Sequence, residues 1–163
     1  MAAFPAVFGV SGEHSGRHRG EHQLVDEAEF LWRQVPAAFM DKQTGVPSSQ
    51  TFRPFAKDQG KLSVARGSVV SPAEARRRHQ ARGYNSVGVL GVTVSEVTEQ
   101  TLSAWDDSAQ PGVPQEHGYI DFRELPSKGK QERCAARLLH AALIRGWAEE
   151  DHPTADSGSP TAG

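Results

Sequence analysis

Residues 87–94 read VGVLGVTV, and no other stretch restricts the fold as strongly. The run is β-branched and apolar at successive positions. A strand built from it therefore shows apolar side chains on both faces and has to be covered on each side, as a central strand is. Gly88 and Gly91 lie inside it, where a missing side chain marks the close approach of a neighbouring element.

Two segments read as helices, and the later one is expected to pack Leu138, Leu139 and Ala142 over one face of this strand. Residues 72–82 carry a full set of helix signals: Ser71 as N-cap, Pro72 at the first position, Glu74 to complete an S-x-x-E capping box, and Gly83 after an arginine-rich last turn. Residues 128–145 form a second helix, with Ser127 as its cap. Cys134, Leu138, Leu139, Ala142 and Leu143 line one stripe, and Gly146 with Trp147 make a Schellman-type ending.

The spacing of Val25, Ala28, Leu31, Trp32 and Val35 predicts a further helix over 25–35, with acidic residues in its first turn and Pro36 as its stop. A strand over 30–35 is the competing reading, because Phe-Leu-Trp also suits a sheet. Ser95 would lead a short helix over 95–105, with Val97 and Leu102 inward. Residues 61–65 and 119–122 read as strands, and 51–53 as a short edge strand.

No repeat of 20–50 residues is visible. Helices mixed with short strands give the expected fold class, α+β: a single domain with a small mixed or antiparallel sheet packed by two or three helices. Residues 11–23 and 151–163 contain almost no large apolar side chains, so they bury too little to offset the entropy of ordering. The expected organisation is a disordered N-terminal extension over 1–24, a globular domain over 25–150, and a disordered tail over 151–163.

Composition limits the partners. With 18 basic and 20 acidic residues the net charge is −2, so a phosphate-backbone grip on nucleic acid is not expected. The first ten residues lack the basic start of a secretion signal, and no apolar run is long enough for a membrane span. One cysteine, Cys134, rules out an internal disulfide and fits a reducing compartment, so the expected location is the cytoplasm. Cys134 sits on an apolar stripe and reads as a packed side chain rather than a nucleophile. The arginine-rich bias accompanies GC-rich codons and suggests a bacterial source.

Nucleotide-loop, zinc-protease, EF-hand and nucleophile-elbow motifs are all missing. His14, His18 and His22 recur every four residues, but Gly16 and Gly20 interrupt the helix that would align them, so no metal site is expected. Arg76, Arg77, Arg78, His79 and Arg82 make one helix basic on several sides, either as an anion site or as a solvated face. In HGYID, His117 and Asp121 share a strand face but are about 13 Å apart along the strand, too far for a relay. Either one could pair with Ser48, Ser49 or His79 from another element.

The long polar loop over 41–61 is the most site-like stretch. Ser48, Ser49, Gln50, Arg53, Lys57 and Lys61 are its candidate binding residues, with Arg33 and Arg78 beside them. Two functions are compatible with these residues. The first expectation is a small cytoplasmic, non-catalytic partner protein (an accessory, regulatory or immunity-type module) that binds another protein and carries no cofactor. The second is a small enzyme acting on a phosphate-bearing substrate, such as a nucleotide or NAD-like molecule. There Arg33, Arg53 and Arg78 would hold the anion and His79 or His117 would carry the proton.

Overall fold

The structure, a computed structural model, describes residues 18–151. Seven strands form one sheet: β1 (His22–Gln23), β2 (Phe30–Val35), β3 (Lys61–Arg66), β4 (Gly88–Thr93), β5 (Ser103–Asp106), β6 (His117–Asp121) and β7 (Glu149–Glu150). Their order is β1-β5-β6-β3-β2-β4-β7, and every neighbouring pair is antiparallel. The helices are α1 (Pro72–Ala81), α2 (Val94–Glu99) and α3 (Lys128–Arg145), with short 3-10 turns at Ala37–Phe39, Ser49–Phe52 and Ala56–Asp58.

The apolar run becomes β4, and it is covered on both faces as its sequence requires. Leu90 and Val92 join Leu31, Leu62, Ile120 and Phe122 in the core that α3 closes with Ala135, Leu138 and Ala142. Val89 alternates to the other face, where α1 lies over β2 and β4 and Ala75 is buried. Both glycines of the strand are sites of close approach. A Cβ on Gly91 would come within 2.5 Å of the Trp32 ring, and one on Gly88 within 2.7 Å of the Trp147 ring.

The caps of the long helices follow local sequence. Ser71 accepts the Glu74 backbone N–H at 3.1 Å, and Ser127 accepts that of Lys130 at 3.2 Å. The Glu74 carboxylate does not turn back to complete a capping box; it receives Arg77 and Arg78 instead.

Four expectations are corrected. Residues 25–35 do not form a helix. Val25 and Ala28 are exposed, and 30–35 is strand β2, paired with β4 from Phe30↔Thr93 to Val35↔Gly88. The backbone pairing of β4 and the alternation of Leu31 and Val35 with Trp32 and Gln34 outweigh a helical spacing that is only approximate. The helix expected over 95–105 is shorter: it is capped by Thr93, ends at Glu99, and gives way at Thr101, with φ 60°, to β5. Residues 51–53 belong to a 3-10 turn and its end rather than an edge strand.

Finally, residues 18–24, assigned to a disordered extension, lie against the sheet. β1 pairs with β5, and Leu24 is buried. The rest of the two expected disordered ends, 1–17 and 152–163, lies outside the described residues, as does His14. The sheet is also larger than the small one expected, because β1, β5 and β7 are only two to four residues long and leave no run of their own in the sequence. Among the described residues no helix is long and apolar enough to cross a membrane.

Candidate functional site

α3 closes one face of the sheet, whereas α1 covers only the β2–β4 end of the other. Beside α1 a cleft of about 520 Å³ opens over β2 and β3. It is continuous with a narrower recess of about 100 Å³. Arg33, Gln34, Ser63, His79, Arg82 and His117 line both.

Arg33, on β2, projects its guanidinium between backbone carbonyls. Nε donates to Thr51 O at 2.6 Å and Nη1 to Ser63 O at 2.9 Å. These bonds fix the side chain without neutralising it. Among the described residues no carboxylate forms an ion pair with it. Burial pushes its pKa down to about 10, which the more distant charge of Asp58 only partly opposes. The Asp58 carboxylate itself accepts the Phe55 backbone N–H at 2.8 Å.

His79 stands on the last turn of α1 and stacks on Tyr84, with ring centroids 5.1 Å apart. Burial lowers its pKa first, with smaller contributions from the Arg33 and Arg82 charges and partial opposition from a bond to the Asn85 backbone. The ring is therefore a neutral imidazole near neutral pH.

His117 opens β6, and its Nδ1 meets Asp107 Oδ1 at 2.6 Å. Nε2 is the atom left for chemistry, in the arrangement by which a carboxylate orients a catalytic imidazole. Asp107 is 9% exposed, in the loop between β5 and β6.

Glu116 organises the remaining cations. Its buried carboxylate accepts Arg82 Nη2 at 2.6 Å and Arg78 Nη1 at 3.1 Å, and Arg78 Nε also donates to Glu74 at 2.8 Å. Burial pushes the Glu116 carboxyl up, but the Arg82 and Arg78 hydrogen bonds, with the Arg82 charge, hold it below its ordinary value of 4.5. A depressed carboxylate pKa contributes stability that is present above the unfolded value and lost as pH falls through the folded one. Thermal melts should therefore show Glu116→Gln less stable than the natural protein near neutral pH, with the gap narrowing as pH falls below 4.5. A gap independent of pH would show that the Glu116 charge does not hold these arginines.

The candidate residues from the sequence divide. Arg33, Lys57, His79 and His117 line the cleft, and Arg78 stands behind it on Glu116. Ser48, Ser49 and Gln50 lie in and beside the 3-10 turn that carries the buried Thr51 and Phe52 beneath α3. Arg53 pairs with Glu132 of α3 at 3.1 Å and is not among the cleft residues. Lys61, on β3, is 3.6 Å from Glu21 and lies over the Tyr119 ring. The loop over 41–61 is thus not one binding surface, because its middle is anchored by Phe52 in the core.

The basic helix is solvated on one side and engaged on the other, since Arg77 is 72% exposed and Arg76 is buried. Arg77 and Arg78 pair with Glu74, and the buried Arg76 bonds Ser86 O at 2.8 Å and Asp151 at 2.5 Å. Cleft residues that the sequence did not mark include Gln34, Ser63, Phe55, Tyr84 and Glu116, and Asp107 stands behind His117. Only the adjacency of Glu116 to His117 offered any signal.

A second polar cluster lies on the same sheet face. His18 stacks on Trp105 with ring centroids 3.5 Å apart, and its Nδ1 is 2.8 Å from the Tyr119 hydroxyl. Its Nε2 is 3.2 Å from Asp121, which also receives Arg123, and Tyr119 donates to Glu21. Asp121, the residue whose relay with His117 the strand geometry forbids, is engaged here. The ring nitrogens of His18, the Tyr119 hydroxyl and the Asp121 carboxylate are all taken up internally, so the cluster clasps residues 18–21 to the sheet.

No family model matches this chain, and no curated protein or solved structure matches it.

Proposed function

We propose that the protein is a small enzyme acting on a phosphate-bearing substrate, bound in the cleft between α1, β2, β3 and the start of β6. One observation carries this reading: Arg33, Arg82, His79 and His117, from three separate elements, line one cavity, and Arg33 has no carboxylate partner among the described residues. A fixed cation that no carboxylate contacts directly, beside a second arginine, suits the oxygens of a phosphate.

Hydrolysis of a phosphate ester gives the two histidines distinct work. Neutral His79 accepts a proton from the attacking water as the new O–P bond forms. His117 Nε2, steadied through Nδ1 by Asp107, delivers a proton to the departing oxygen as the ester P–O bond breaks. The Arg33 and Arg82 guanidinium groups hold the phosphoryl oxygens through the transition state. We place this activity in the cytoplasm, in keeping with the free, buried Cys134. The other reading, a non-catalytic module for a protein partner, would draw instead on exposed apolar side chains such as Val25 and Ile144.

Pyrophosphate, titrated by calorimetry, tests the seat. Arg33→Met should weaken it about 10-fold or more, as loss of charge-assisted hydrogen bonds does. With phenyl phosphate as substrate, whose phenolate leaves poorly unless it is protonated, His117→Gln should lower turnover about 10²-fold or more at unchanged melting temperature. Undiminished pyrophosphate affinity in Arg33→Met would overturn the reading.

A further inference from the structure

The cleft is larger than a phosphate needs, and its outer part is built from rings. A volume of about 520 Å³ falls within the range of sites that enclose drug-sized ligands. Arg33 and Arg82 line both the recess and the wider part, together with His79 and His117. Phe39, Phe55 and Tyr84 line the wider part. Cationic groups and aromatic rings therefore share one cavity.

The rings at the mouth are not explained by folding. Tyr84 is 62% exposed and Phe55 40% exposed, each in a loop outside the buried core. Phe55 leans on Phe39 with centroids 5.6 Å apart, and Tyr84 stacks on His79. Large rings left exposed cost hydrophobic burial, and they are informative when they converge on a cavity.

Two amides stand nearby. The Gln34 amide meets the Ser86 hydroxyl at 2.7 Å, and the Asn85 carbonyl oxygen accepts the Ala37 backbone N–H at 3.0 Å. The bond at Asn85 engages its oxygen and leaves its NH₂ as a donor on the cleft wall.

We infer that the phosphate-bearing substrate is a nucleotide, its phosphate seated on Arg33 and Arg82 and its base stacked against Tyr84 and Phe55. This rests on the proposed phosphate site and extends it by naming what the phosphate is attached to. A base has two π-faces for the rings and acceptor atoms on its edge for the Asn85 NH₂, whereas a sugar phosphate offers neither face. The Tyr84–His79 stack also makes base binding felt at the imidazole that takes the proton.

The test uses adenosine 5′-monophosphate and ribose 5-phosphate, titrated by calorimetry into the full chain, Arg33→Met, and the double variant Tyr84→Ala/Phe55→Ala. Both mutated rings are exposed, so the double variant should keep the natural melting temperature. The expected result is adenosine 5′-monophosphate binding about 10-fold or more tighter than ribose 5-phosphate, as stacking on aromatic side chains gives. The double variant should bring the two ligands to equal affinity without changing that of ribose 5-phosphate, and Arg33→Met should weaken both.

Equal affinities in the natural protein, both reduced by Arg33→Met, would overturn the nucleotide assignment and leave the phosphate site standing. Nucleotide binding that survives Arg33→Met would overturn the phosphate site, and the assignment with it. Binding of neither ligand would also overturn both.

Discussion

Replacing Arg66 by methionine should destabilise the protein by about 3–5 kcal/mol, the cost of leaving a buried carboxylate without its partner. Arg66, at the end of β3, receives its importance from position. Its Nε and Nη2 donate to the two oxygens of Glu29, each at 3.0 Å, and Nη1 reaches Asp106 on β5 at 2.9 Å. Glu29 is 8% exposed, so it has little water to fall back on when the guanidinium is gone. The Glu29 hydrogen bond is the main reason the Arg66 pKa is raised further. The ion group connects the residue preceding β2 with β3 and β5, which are not adjacent strands. Urea denaturation of Arg66→Met measures the cost, and the double variant Arg66→Met/Glu29→Gln should recover a large part of it. A single-variant loss below about 1 kcal/mol, the range of exposed ion pairs, would mean that water replaces the guanidinium at Glu29.

The second large effect separates two neighbouring residues. Phe52→Ala should cost about 3–5 kcal/mol, as removal of a buried phenyl ring does, because Phe52 is fully buried in the core beneath α3. Arg53→Ala should cost about 0–1 kcal/mol, since its pair with Glu132 is open to solvent, with side chains 30% and 49% exposed. Equilibrium melts of the two variants make the comparison. Similar small losses would place the 3-10 turn Ser49–Phe52 on the surface, as its polar sequence suggests. A large loss confined to Phe52→Ala fixes it as a plug of the core.

These cases show what was legible in the sequence. Helices α1 and α3 and strand β4 were readable because each carries its own signal: a cap at Ser71 or Ser127, or an apolar run that nothing but burial explains. Strand β2 was misread because Leu31 and Val35 are four residues apart, a distance that fits a helical face and an alternating strand equally well. Only pairing with β4 decides between them. Strand β5 and the two-residue strands have no pattern at all without their partners.

The site was legible residue by residue but not as a constellation. Arg33, His79 and His117 could be singled out by type, yet their meeting depends on where the sheet places β2 beside α1 and the start of β6. Asp107 lies ten residues before His117, across a loop whose prolines and glycine give no sign that its ends meet. Polar composition in the 41–61 loop likewise concealed that one ring in it belongs to the core.

The lateral ends of the described sheet are β1 and β7, each only two residues long. An unpaired strand edge is a template on which another chain can add itself, and short edges offer too few free backbone groups for that addition to take hold. β7 also consists of Glu149 and Glu150, whose like charges would oppose each other if two copies met edge to edge in antiparallel fashion. The apolar β4 lies one strand inside that border, where β7 pairs with Gly88 and Val89 and Arg145 Nη1 takes up Gly91 O further along. Its eight-residue run, VGVLGVTV, has the composition of a fibril-forming segment, and the short acidic strand beside it acts as its gatekeeper.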